Sequence, residues 1–345
     1  MVFGVRSKIE IITILVASSM MTMMVILEGN WLHRASPSPP VAMESISSLK
    51  EQSIAIVGLI RDGEQTLPHL LDQLQSFSCS FRSATFIFYE SNSKDQTPLI
   101  LADWQRQPNV CNDDNHTEIS KIVLETLPFD MDGNHALTAF DRVERYAKYR
   151  NYLLRELREY SRSNPPDFMM MVDLDIVAFD VMVTLQEMNH ALNDRGYSVM
   201  CGHGIHGSAA FYYDVFATVL SSGLWTRFSH FQIPVERRHL DHLVAAKRVL
   251  EVQSCFNGLA IYKYAVLREA ECKYVESESE LRSDYPQFVD SYLVPFRQIK
   301  GQNAMICEHI PFHFCLSQHN ENVKIAVSRD SLVYYNEESL QRRTT

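Results

Sequence analysis

Two aspartates separated by one leucine, Asp173-Leu174-Asp175, follow the apolar run Phe168-Met169-Met170-Met171-Val172 and precede Ile176-Val177. Carboxylates at i and i+2 turn the same way only on a strand or its terminal turn. Hard oxygen donors so arranged suit manganese or magnesium, and a divalent ion can bridge them to a diphosphate and offset charge on a leaving phosphate. The bland alternative is a strand end with two solvated acids. A buried strand ahead of the pair favours chemistry, because ligands of open α/β sheets gather beyond the carboxyl ends of the strands.

Such a strand end needs a sheet around it. The aliphatic run 54–60 (IAIVGLI) reads as a strand buried on both faces, 84–90 (ATFIFYE) is β-rich, and 121–127 (KIVLETL) is a short strand candidate. Between the first two, Leu70, Leu71, Leu74 and Phe77 recur at helical spacing behind Thr66, a candidate N-cap, and Pro68. Thr97-Pro98 opens a second helix, and 139–160 carries Arg, Tyr and Leu at helical period. This alternation predicts an α/β, Rossmann-like catalytic domain over 53–325 with a mixed, mostly parallel sheet.

Other residues fall where that sheet would present them. Arg61 follows the first strand and can meet a nucleotide or stand on the surface; Glu90 closes the second and can accept hydrogen bonds or close a turn. Asp95 and Thr97 suit turn stabilisation and helix capping. Arg150, one helix before the aspartates, could grip phosphate or an aspartate of the site bidentately. Asn257-Gly258 allows close backbone approach, with an amide able to bond sugar hydroxyls, or forms a tight turn without ligand. The segment 202–207 (GHGIHG) reads as a flexible loop on the acceptor side. Glu236 and Asp241 are candidate bases or members of a solvated helix start.

The whole chain sets limits on these readings. Its 345 residues, 46% hydrophobic and 21% charged, can bury a full core, and a net charge of −10 argues against a nucleic-acid partner. Residues 11–27 are uncharged and follow Arg6 and Lys8, which predicts a cytosolic tail (1–8) and a transmembrane signal anchor (9–28) in type II orientation, with a cleaved signal peptide as the rival reading. A Ser/Pro-rich stem (29–52) leads to the domain, and 326–345 reads as a C-terminal tail. Seven cysteines without a CxxC pair suggest some disulfides and at least one free thiol, and Asn115-His116-Thr117 is a glycosylation sequon. These features point to a lumenal enzyme of the endoplasmic reticulum or Golgi membrane.

Five blocks then occur in order: Tyr89-Glu90-Ser91-Asn92-Ser93-Lys94-Asp95-Gln96-Thr97; Lys148-Tyr149-Arg150-Asn151 ahead of the D-x-D strand; Tyr212-Tyr213-Asp214; Ser254-Cys255-Phe256-Asn257-Gly258; and 307–316 (CEHIPFHFCL). Together they resemble type II, GT-A-fold glycosyltransferases, especially fungal capsule-associated, cryptococcal-type mannosyltransferases, and more distantly yeast Golgi mannan-polymerase subunits. Phe256 stands where the fourth block usually has Trp. The resemblance implies a GT-A domain that transfers a hexose, mannose from GDP-mannose or a sugar from a UDP donor, to a glycan or glycoprotein, with Mn2+ or Mg2+; the alternative is a non-catalytic glycan-binding or scaffold member of the same fold. It assigns Asp173 and Asp175 to catalysis and metal binding, and Glu90, Arg150, Asp173 and Asn257 to the donor nucleotide-sugar, which Arg61 would join from its place after the first strand. It places His313, with His309 as competitor, in the metal shell, and allows homo- or hetero-oligomers with other transferases.

Overall fold

The computed structural model describes residues 43–109, 111, 117–128, 139–206, 211–222, 233–286, 307–337 and 340. The anchor expected over 9–28 and the sequon at 115 lie outside them. Among the described residues no helix is long and apolar enough to cross a membrane.

Strands β1 (Ser53–Ile60), β2 (Ser83–Glu90), β3 (Glu118–Leu124) and β4 (Phe168–Asp173) lie in the order β3-β2-β1-β4, all parallel. Helices α1 (Leu67–Ser78), α2 (Thr97–Arg106) and α3 (Ala139–Tyr160) connect them. Every residue of β1 is buried, and alternation divides the strand between two layers. Ile54, Ile56 and Ile60 pack with Leu67, Leu70, Leu71, Leu74 and Phe77 of α1, while Ala55, Val57 and Leu59 join Leu153, Leu154 and Leu157 of α3. Each such side chain removed from water contributes about 1.5–3 kcal/mol, which is why continuous apolar runs become the centre of the sheet. Strand β4 divides likewise, Met169 and Met171 toward the α3 layer, Met170 and Val172 toward the α1 layer.

Beyond β4 the sheet changes character. The remaining elements are β5 (Ala178–Phe179), α4 (Val181–Met188), β6 (Val199–His206), β7 (Phe211–Tyr212), β8 (Val219–Leu220), α5 (Ile233–Ala245), β9 (Val249–Ser254), β10 (Leu259–Lys263), α6 (Tyr264–Ala270), α7 (Glu278–Asp284), α8 (His309–His319) and β11 (Ile325–Tyr334). The order continues β4-β10-β6-β11-β9-β8. Strand β10 is antiparallel to both β4 and β6, and β11 is parallel to β6 but antiparallel to β9. The expected sheet is therefore mixed, but parallel mainly in its first half. A continuous apolar run reports burial on two faces and carries no record of the neighbour's direction.

Three sequence expectations are corrected. The folded chain does not end at 325, because β11 crosses the sheet between β6 and β9. Ser328-Arg329-Asp330 interrupts its apolar pattern at a register shift between Val327 and Leu332, which hid the strand. Residues Met43–Glu51 form a 3-10 helix with Leu49 buried, so the last part of the expected stem belongs to the folded domain. The segment GHGIHG is no loop: 202–206 lie in β6. Gly202 is required by its neighbour, since a Cβ there would stand 2.6 Å from Val333 Cγ2.

Disulfides join Cys79 to Cys111, Cys201 to Cys255 and Cys272 to Cys315, leaving Cys307 as a thiol. Cys272, Cys315 and His319 lie close enough to hold a metal, but the two sulfurs are bonded to each other.

Candidate active site

The direction of Asp173 follows from strand parity. It shares the odd positions of β4 with Met169 and Met171 and so faces α3, where Arg150 meets it. Arg150 is fully buried; one arm donates to Asp173 Oδ1 at 2.9 Å and the other to Glu308 at the start of α8. The guanidinium also lies over the Phe256 ring, 4.9 Å from its centroid. A buried charge persists when it is paired and hydrogen-bonded. Here one cation serves two acids.

Negative charge is in excess around this pair. Burial, with the charges of Asp175, Glu308 and Asp214, pushes the Asp173 carboxyl up to about 7 although Arg150 acts in the opposite direction. Asp214 is raised to about 6, by burial first and Glu308 next, against hydrogen bonds from the backbone of Asn257 and Ala217. Acids raised together by burial and by one another's charge are a recurrent feature of functional sites.

In front of the aspartates opens a cavity of about 330 Å³. Its walls include Arg61, Ser91, Arg142, Arg145, Tyr146, Tyr149, Asp173, Asp175, Tyr213 and Tyr335. Arg142, Arg145, Tyr146 and Tyr149 recur at i, i+3, i+4 and i+7, one stripe of α3. Opposite them Tyr213 stacks on Tyr335 with ring centroids 3.5 Å apart. Gly258 makes room for that stack: its φ is +78°, and a Cβ there would fall 2.3 Å from Tyr335 Oη. Three guanidiniums facing two carboxylates across one cavity provide for both the anionic and the metal-binding parts of a metal diphosphate.

The loop after β1 and the loop after β2 brace each other at the rim. Lys94 N–H donates to Asp62 Oδ1 (2.8 Å), Gly63 N–H to Thr97 Oγ1 (2.8 Å), and Glu64 N–H to Asp95 Oδ2 (3.0 Å). Thr97 N–H donates to Asp95 Oδ1 (2.9 Å), so Asp95 and Thr97 stabilise the turn as expected. Asp62 and Asn92 take left-handed φ values of 50° and 49°, next to Arg61 and Ser91 of the cavity wall.

The residues singled out from sequence thus divide. Asp173, Asp175, Arg61 and Arg150 come together, Arg150 through Asp173 rather than on the cavity wall. Glu90 takes its turn-closing alternative: its carboxylate accepts the Ser93 N–H, and Ser91 lines the cavity in its place. Asn257 takes its tight-turn alternative, with φ 58°. Its amide donates to Tyr212 Oη (2.6 Å) and its carbonyl accepts the Asp214 N–H (3.2 Å), which leaves it committed within the fold. His313 is not directed to the aspartates. It is fully buried, Nδ1 against Ser254 Oγ at 3.0 Å and Nε2 against Tyr262 Oη at 2.9 Å, and burial pushes its pKa down to about 3. With both ring nitrogens engaged, no lone pair is left for a metal. Asp241 pairs with His203 at 3.3 Å.

Several residues of the site were missed. The i, i+3, i+4, i+7 spacing of Arg142, Arg145, Tyr146 and Tyr149 was a legible signal. Tyr213 stands inside the third block and Glu308 inside the fifth, and Tyr335 follows a strand whose broken apolar pattern reads as tail.

Known proteins supply the remaining finding. A family model described as Cryptococcal mannosyltransferase 1 matches residues 53–313, well over half of the chain. No curated protein matches it. Among solved structures, S. aureus TarS 1-349 is 16% identical at TM-score 0.41, over 82% of this chain and 59% of that one. The mannosyltransferase PcManGT from Pyrobaculum calidifontis, in complex with GDP-Man and Mn2+, is 12% identical at TM-score 0.35, over 74% and 55%. GalNAc-T7 with UDP, GalNAc and Mn2+ is 9% identical at TM-score 0.42, over 82% and 43%. Those TM-scores are all below 0.5, so nothing about the present chain follows from them. The family match has a different standing, because it spans β1, the D-x-D strand, the Arg150 helix and the start of α8, the elements that build the site: the chain belongs to the Cryptococcal mannosyltransferase 1 family.

Proposed function

We propose that this protein is a metal-dependent GT-A-type glycosyltransferase that moves a hexose, mannose from GDP-mannose, to a glycan or glycoprotein acceptor in the secretory pathway. The observation that carries the reading is the cavity in which Arg61, Arg142 and Arg145 face Asp173 and Asp175. Mannose as the transferred sugar is supported by membership of the family.

The residues present fit manganese or magnesium. Asp173 and Asp175 are hard oxygen donors at one strand end, amid an excess of acid that Arg150 does not balance. A divalent ion held there supplies Lewis-acid charge to the departing diphosphate. The chain's own groups do the rest. Arg61, Arg142 and Arg145 hold and orient phosphate oxygens, and fixed positive charge around a leaving group is commonly the largest catalytic contribution. The Tyr213–Tyr335 stack closes the opposite wall and limits water. Three disulfides support an oxidising compartment, in keeping with type II anchoring by 9–28 in a Golgi or endoplasmic reticulum membrane.

The test is nucleotide release by the purified full chain with Mn2+ and a panel of GDP-mannose and UDP-sugars, with mannobiose-type and glycopeptide acceptors. GDP release from GDP-mannose, lost on chelation, is the expected result. Release from a UDP-sugar alone would replace the donor, and no release from any donor would sink the transferase reading.

A further inference from the structure

Glu308 is buried at the first residue before α8, where a carboxylate ordinarily caps the helix. Its side chain makes no cap hydrogen bond. It reaches across to Arg150 of α3 instead, accepting from one arm of the guanidinium whose other arm holds Asp173. The ring beside it, His309, is held neutral by burial, its Nε2 3.9 Å from Glu308 Oε1 and without a hydrogen-bond partner. Arg150 is thus the cation that Glu308 meets, and Glu308 is the acid that shares Arg150 with the D-x-D pair.

This sharing matters on the reading of Asp173 and Asp175 as divalent-cation ligands, on which the following rests. A buried guanidinium 2.9 Å from one ligand oxygen opposes a second positive charge on the same carboxylate. Removing Arg150's charge would loosen Asp173; leaving it unbalanced would repel the ion. We propose that Glu308 is a positioning residue that neutralises Arg150, so that the arginine orients Asp173 without competing against a divalent cation for it. The role belongs to the charge of Glu308 and acts through Arg150. Phe256 assists by covering one face of the guanidinium.

Charge and shape are separable here. Glu308→Gln keeps the shape and one acceptor oxygen without the charge, whereas Glu308→Asp keeps the charge on a shorter arm. Binding of Mn2+ to the full chain, followed by the electron paramagnetic resonance signal of free Mn2+, needs no donor and no turnover. Glu308→Gln should raise the Mn2+ Kd by about 10–100-fold, the range typical of changes to residues behind a metal ligand. Glu308→Asp should recover most of that loss, and in both variants the deficit in GDP-mannose turnover should shrink as Mn2+ is raised to saturation, a KM effect for metal with kcat little changed. If Glu308→Gln binds Mn2+ like the wild type, or if Asp is as poor as Gln, the charge role is overturned. Should Glu308→Gln fail to fold, Glu308→Asp decides: near-wild-type Mn2+ affinity supports the proposal, and a loss as large as about 10-fold overturns it. Failure of the wild type itself to bind Mn2+ would remove the metal reading together with this one, a result distinct from any difference among variants.

Discussion

Two clusters of ligand-type side chains flank Arg150. On one side Asp173 and Asp175 sit at the mouth of a cavity walled by arginines and tyrosines; on the other His309 and His313 lie among Phe256, Tyr262, Tyr274 and Phe312. By residue type either cluster could ligate a metal. The histidine cluster is closed, however: Phe256 stacks on His309 with centroids 3.8 Å apart, and each nitrogen of His313 already has a hydroxyl partner. The aspartates retain unmet demand for positive charge and a path to solvent, Asp175 being exposed. What separates a site from a packed layer is unsatisfied bonding capacity at an opening, not the kind of side chain present.

The largest effect should come from the residue between the two. Arg150→Met leaves Asp173 and Glu308 without their shared cation, and breaking such a buried pair costs about 3–5 kcal/mol. Urea unfolding should show that loss, with turnover abolished; a stability within 1 kcal/mol of wild type would mean that the buried network is not what holds the two clusters apart. Asp175→Asn should act on the open side alone, lowering kcat roughly 10²–10³-fold with an unchanged unfolding midpoint. A shift of the midpoint as large as that of Arg150→Met would erase the distinction between the sides. His313→Gln should act on the closed side alone, costing about 1–3 kcal/mol through disturbed bonds to Ser254 and Tyr262. Mn2+ affinity should be unaltered, and a weakened Kd would return His313 to the metal shell.

The last test of the open side is a pH slope. Asp173 is raised from an ordinary 3.8 to about 7 in the folded chain, so the unfolded state releases this proton first. Without metal, the contribution of this group to stability is therefore undiminished below about pH 4 and declines as pH rises toward about 7. Asp173→Asn should remove that decline, and saturating Mn2+ should flatten it, since a bound ion favours the charged carboxylate. Unfolding midpoints that rise over this interval in an Asp173-dependent way would reverse the sign and refute the crowding of charge at the open side.

Much of the frame was legible in the linear chain, for identifiable reasons. The run IAIVGLI specified a strand buried on both faces, and 139–160 specified α3 to the residue, because apolar periodicity is a local property of the chain. Asp173 and Asp175 could be placed at a strand end by the same logic. Direction was not legible: nothing in LAIYK distinguishes a strand antiparallel to β4 from a parallel one. Nor was β11, whose pattern is broken by the register shift at Ser328-Arg329-Asp330.

The sequence by itself determined the parallel strands and helices of the first half, the oxygen-donor pair and the stripe from Arg142 to Tyr149, since each depends on spacing within a few residues. Only the tertiary structure decided the partners. It brought Glu308 to Arg150 across 158 positions of chain, closed Asn257 onto Asp214 and Tyr212, and gave both nitrogens of His313 to buried hydroxyls. Hydrogen-bonding capacity is local to a side chain, but whether it is already used depends on neighbours that only folding supplies.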